Sequence, residues 1–132
     1  MRTAGHWHIG LAADSASSAA PGMAYVRRTL DAMPHEGADA ARQKGDVLLV
    51  ACELLANACR HTPGPTDLDI DLDGDRLTVA VTDSSATLPE PRPWCPAAPN
   101  GHGLHIVERL TTGWGTVPAG SGKTVWACLP WT

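Results

Sequence analysis

Glu53 and Asn57 lie four residues apart in the run Asp46-Val-Leu-Leu-Val-Ala-Cys-Glu-Leu-Leu-Ala-Asn-Ala-Cys-Arg-His61. On a helix that spacing sets a carboxylate and an amide one above the other. Glu53 can take a proton from a hydroxyl or a water. Asn57 offers a hard carbonyl oxygen of the kind that Mg2+ accepts. With Asp46, Arg60 and His61 they form one narrow polar line on a segment otherwise built of Val, Leu, Ala and Cys. Such a helix is expected to be largely enclosed. Its polar line is then either the solvated edge of a core helix or the wall of a pocket, and residues further along the chain bear on the choice.

Asp83 follows a strand-like run and begins Asp83-Ser-Ser85-Ala-Thr-Leu-Pro89, which alone reads as a turn as readily as a site. Asn100-Gly-His-Gly-Leu104 sets two glycines at the start of a predicted helix, where free N–H groups and the positive dipole end can hold phosphate. A simple glycine turn fits it as well. Gly120-Ser-Gly-Lys-Thr124 imitates a P-loop. However, Val117 stands where that motif needs glycine, and the following Val-Trp-Ala-Cys-Leu129 has the character of a strand rather than a helix, so that motif is rejected. His6 and His8 share one face of a predicted strand, but with no nearby carboxylate we read no metal pair there.

The elements that must position these residues follow from periodicity. A first strand is expected over residues 6–12, then a turn-like Ser/Ala stretch from Asp14 to Pro21. A helix opened by Pro21 should run to about Met33, with Met23, Val26, Leu30 and Met33 inward and Arg27, Arg28 and Asp31 outward. Pro34 to Gly45 interrupts the pattern, and Pro63-Gly-Pro65 ends the central helix. Asp67 to Asp73 and Arg76 to Thr82 alternate strictly around Gly74-Asp75, which predicts an antiparallel hairpin with Leu68, Ile70, Leu72, Leu77, Val79 and Val81 on its apolar face. Residues 84–100 carry five prolines and should form a long irregular, functional loop. A helix over Gly103–Leu110 and strands over Trp114–Val117 and Thr124–Leu129 complete the chain.

At 132 residues and 43% hydrophobic composition, one domain spanning 1–132 with its own core is expected. The net charge of -4 and the lack of a dense Lys/Arg run exclude a general nucleic-acid or anionic-membrane binder, leaving protein or small-molecule partners. Cys52, Cys59, Cys95 and Cys128 lack metal-ligand spacing, so reduced thiols in a cytoplasmic protein are the simplest account. No run is long enough to span a membrane or serve as a signal core.

Taken in order, Glu53-x-x-x-Asn57, Asp83-x-Ser85-x-x-x-Pro89, a loop, Gly101-x-Gly-Leu104 and Gly122-Lys-Thr124 resemble the Bergerat-fold ATPases of gyrase, heat-shock chaperones, histidine kinases and mismatch-repair proteins. Within that superfamily, Glu53-Leu-Leu-Ala-Asn-Ala-Cys-Arg-His61, Gly101-His-Gly-Leu104 and Gly122-Lys-Thr-Val-Trp126 are similar to the anti-sigma-factor serine kinases and their small actinobacterial relatives. The resemblance implies an α+β two-layer sandwich: a mixed, mainly antiparallel sheet of about four or five strands covered on one face by three helices. It implies ATP and Mg2+ as ligands, Glu53 as general base, Asn57 as the Mg2+ ligand, and Asp83 as acceptor for the adenine amino group. Ser85, Thr124 and His61 would join the nucleotide site, Thr124 at the adenine end, while Gly101, His102, Gly103 and Leu104 would cradle phosphate. It further implies a protein serine/threonine kinase that phosphorylates an anti-sigma-factor antagonist and sequesters a sigma factor, with homodimerisation through the N-terminal strand. The alternative is an ATP-binding adaptor without chemistry, suggested by His102 standing where many relatives have arginine.

Overall fold

The computed structural model describes residues 4–12, 19–85 and 103–132, with His61 and Gly103 described in backbone only. In chain order the elements are β1 (Ala4–Gly10), α1 (Ala19–Ala32), α2 (Ala40–His61), β2 (Pro65–Asp73), β3 (Arg76–Asp83), α3 (Gly103–Leu110), β4 (Gly113–Ala119) and β5 (Gly122–Pro130). The strands form one sheet in the order β1-β2-β3-β5-β4. Every neighbouring pair is antiparallel, and with three helices this is the α+β sandwich with a mainly antiparallel sheet that the sequence leads one to expect. Strands β3 and β4, each paired with β5 between them, run the same way and are joined by a crossover that includes α3.

The hairpin is as its alternation predicts. Leu68, Ile70, Leu72, Leu77, Val79 and Val81 are all buried, and Gly74 turns the chain at φ 65°. They face Val26 and Leu30 of α1 and Val47, Val50, Leu54 and Leu55 of α2 in one apolar core. Each such side chain contributes about 1.5–3 kcal/mol on leaving water. The opposite face of the sheet carries the polar half of the alternation.

Two helix expectations change. α2 begins at Ala40 rather than after Gly45. Ala40-Ala-Arg-Gln-Lys44 is a run of good helix formers. Buried Gln43 also ties this first turn to the C-terminus, its Nε2 donating to Thr132 Oγ1 at 2.9 Å and its Oε1 accepting from Thr132 N at 3.0 Å. Nor is α2 enclosed all round: Leu49 is 42% exposed and Cys52 is exposed. The apolar arc is wider than the sheet and α1 can cover.

The remaining shifts are at boundaries: β1 runs 4–10 rather than 6–12, and α1 starts at Ala19 rather than Pro21. β4 and β5 each extend to meet at a tight turn where Gly120 has φ 58°. Apart from Ser84 and Ser85, the expected proline-rich loop over 84–100 lies outside the described residues, as does most of the Asp14–Pro21 turn. No helix among them is long and apolar enough to cross a membrane.

Candidate functional site

Connectivity gathers the predicted site residues at one end of the sheet. α2 ends at His61, and after three connecting residues β2 begins at Pro65, which pairs with Asp83 at the end of β3. A short stop makes this possible. Thr62 N–H and Oγ1 both donate to Ala58 O, Gly64 N–H donates to Thr62 Oγ1, and Gly64 turns at φ 132°. Asp83 in turn pairs with Lys123 at the start of β5. α3 leads into β4 at the opposite end of the sheet, so its first residue, Gly103, lies towards the Asp83 end.

Asn57, one turn before the end of α2, is 8% exposed, and no hydrogen bond within the described residues holds its amide. A buried amide so placed needs a partner from solvent or ligand. That donor chemistry fits a hard cation such as Mg2+, as the sequence expects. Glu53, one turn earlier, is half-buried, on the border between the core arc and the exposed arc of α2. A carboxylate there can reach a substrate hydroxyl from outside while remaining attached to a rigid element.

Asp83 is buried on the helix-covered face, in step with Val79 and Val81. Its Oδ1 accepts from Ser85 N–H at 2.9 Å and from Lys123 Nζ at 3.0 Å. The ammonium also donates to Ser85 O at 3.1 Å. The Asp-x-Ser spacing is therefore an Asx turn that holds the carboxylate in one rotamer. Gly122 permits the approach: a Cβ there would lie 1.9 Å from Asp83 O and 2.8 Å from Ser84 Cα. The glycine of Gly122-Lys-Thr thus serves strand packing rather than a phosphate loop.

Lys123 is the neighbour of Asp83 that sequence reasoning missed, and Thr124 is the candidate that the structure sets on the other face. Thr124 projects from the opposite face of β5, where its Oγ1 bonds Thr82 Oγ1 at 2.7 Å. Side chains alternate along a strand, so a one-residue difference changes the face. Lys123, 3% exposed, is the neighbour that faces Asp83. The alternation of Lys123, Val125, Ala127 and Leu129 as buried positions carries that signal.

Leu104 is buried at the start of α3, and Ser85 stands beside Asp83. Gly101 and His102 lie outside the described residues, as does the side chain of His61. On the outer face, carboxylates do lie near the paired histidines, contrary to the sequence expectation. His6 Nδ1 meets Asp71 at 2.6 Å, its Nε2 meets Asp69 at 3.3 Å, and His8 Nε2 meets Asp67 at 2.9 Å. The pairing of β1 with β2 brings together residues more than fifty positions apart. Still, no group of three or more His, Cys, Asp or Glu among the described residues could hold a metal ion.

Residues 16–129 match the family model described as a histidine kinase-like ATPase domain. No curated protein matches the chain.

Proposed function

The chain belongs to the histidine kinase-like ATPase domain family, and from that premise we propose that it binds Mg·ATP and phosphorylates a serine or threonine of a protein partner. The observation that carries this reading is the gathering of Asn57, Asp83 and the start of α3 at one end of the sheet, with Glu53 one turn further back on α2.

Each residue has a role that its surroundings support. Asp83, fixed by Ser85 and Lys123, accepts a hydrogen bond from the purine amino group. The start of α3 brings the positive end of the helix dipole towards the phosphates. Asn57 gives its carbonyl oxygen to Mg2+. The nucleotide is the phosphoryl donor, and a Mg2+ held at Asn57 would supply charge neutralisation at the γ-phosphate. Glu53 takes the proton of the attacking hydroxyl as that oxygen bonds to phosphorus and the bond to the β-phosphate breaks. The acceptor protein is one of the antagonist type to which the motif resemblance points, and the partner that the chain alternately sequesters is a sigma factor. The companion reading, a nucleotide-dependent adaptor that holds the same partner without phosphate transfer, rests on His102 standing within Gly101-His-Gly103 where many relatives have arginine.

Incubation with radiolabelled ATP, Mg2+ and candidate antagonist domains tests the proposal. Transfer to a serine or threonine should fall by about 100-fold or more in Glu53→Ala, the usual scale for loss of a general base. Undiminished transfer by that variant refutes the assigned base. Nucleotide binding with a stable partner complex and no transfer selects the adaptor.

A further inference from the structure

Asp83 carries a carboxylate where charge is costly. A carboxylate taken out of water and left alone favours its neutral form. Among the described residues Lys123 is the only charged group within ion-pair distance of it, with Nζ 3.0 Å from Oδ1 and both side chains nearly buried. Lys123 itself faces inwards, and its two described bonds go to Asp83 Oδ1 and Ser85 O. Its influence on a ligand therefore passes through Asp83.

The two oxygens of Asp83 differ. Oδ1 accepts from both Lys123 Nζ and Ser85 N–H, which fixes it. Oδ2 accepts no hydrogen bond among the described residues, yet the one buried side-chain polar atom without a partner there is Trp131 Nε1. Oδ2 is therefore the oxygen left open to a ligand.

What Oδ2 recognises depends on its proton. In an ionised carboxylate it only accepts, which suits the 6-amino group of adenine and repels the 6-oxo group of hypoxanthine or guanine. In a protonated carboxyl it can donate, and the 6-oxo group is then the better match. An ammonium on Oδ1 favours the ionised form.

We propose that Lys123 is a positioning residue that, through Oδ1 of Asp83, keeps that carboxylate an ionised acceptor and so makes the site select 6-aminopurine over 6-oxopurine nucleotides. The proposal rests on the reading of Asp83 as the base-recognition residue.

Calorimetric titration of Mg·ATP and Mg·ITP tests it, since ITP differs from ATP in its 6-oxo group and the N1 proton that comes with it. The unaltered chain is expected to bind ATP at least roughly 100-fold more tightly than ITP, with a ratio that holds between about pH 6 and about pH 8. In Lys123→Met, similar in length but uncharged, burial drives a proton onto Asp83. The ratio should then fall to roughly tenfold or less in mildly acidic buffer and recover as pH rises. A Lys123 that served packing alone would weaken both nucleotides alike, so an unchanged ratio in the folded variant overturns the proposal. A ratio that collapses in mildly acidic buffer in the unaltered chain overturns it as well, and that measurement does not depend on the variant folding. Equal affinity for ATP and ITP at every pH removes the reading of Asp83 itself, and failure of both to bind removes the nucleotide reading as a whole.

Discussion

On the helix-covered face of the sheet, Asp83 meets Lys123 at 3.0 Å with side chains 2% and 4% exposed; on the bare face, His6 meets Asp71 at 2.6 Å with side chains 57% and 52% exposed. The contacts are similar in length and opposite in consequence. Water screens the outer pairs and replaces either partner when the other is removed, so they contribute little. The inner pair has neither option. Each of its charges is tolerable only because the other is present, and a bond from Ser85 N–H completes the arrangement. A buried ion pair at the end of a core strand is a poor way to increase stability and a good way to hold a carboxylate in one fixed place.

Removal of one inner partner should therefore have the largest effect. Lys123→Ala is expected to lower unfolding free energy by about 3–5 kcal/mol in urea titration, because an unpaired carboxylate stays behind in the core. A loss below about 1 kcal/mol would make the pair equivalent to a surface one. Gly122→Ala comes next. Its Cβ cannot sit 1.9 Å from Asp83 O, so β5 must draw back from β3, at a cost of about 1–3 kcal/mol. The same variant should weaken nucleotide binding, since it shifts Asp83 itself.

The outer pairs predict pH dependence in place of magnitude. Hydrogen bonding to Asp71, followed by the charges of Asp71 and Asp69, raises the pKa of His6 above its ordinary 6.5. The protonated imidazole is the form that pairs. Its contribution is therefore present below the ordinary value and lost as pH rises through the raised one. A comparison of thermal midpoints for His6→Ala and the unaltered chain should show a gap in mildly acidic buffer that closes in alkaline buffer. A gap that widens with pH would reverse the assignment. Asp67 has the opposite sign. Bonds from His8 and Thr66 hold its carboxyl below the usual range, so its contribution fades as pH falls through that lowered value. The smallest effect is the His8–Asp67 coupling. A double-mutant cycle at neutral pH should give less than about 1 kcal/mol, falling further with added salt.

What the sequence made legible is what depends on near neighbours. Strict alternation marked the β2–β3 hairpin and its buried face, and a spacing of four put Glu53 and Asn57 on adjacent turns of α2. Both patterns are complete within one element. Contacts between distant elements were not legible. Lys123 reaches Asp83 across 40 positions, and a lysine is the residue least expected in a core until its partner is known. The His6 and His8 pairs arise only once β1 is registered against β2. Thr124 shows a finer failure. The motif located the entry of β5 to within one residue, and the pleat turned that residue to the other face, with Thr82. The early start of α2 likewise depends on Gln43 meeting Thr132, 89 positions away.

The central claim, that this end of the sheet holds Mg·ATP through Asn57 and Asp83, is tested most directly by calorimetric titration of Mg·ATP into the unaltered chain and into Asn57→Ala. Asn57 makes no hydrogen bond within the described residues, so its replacement leaves the buried ion pair intact. The account predicts saturable binding by the unaltered chain and at least a roughly tenfold weaker affinity in the variant, with unchanged circular dichroism. No saturable binding, or equal affinity in a folded variant, would contradict it.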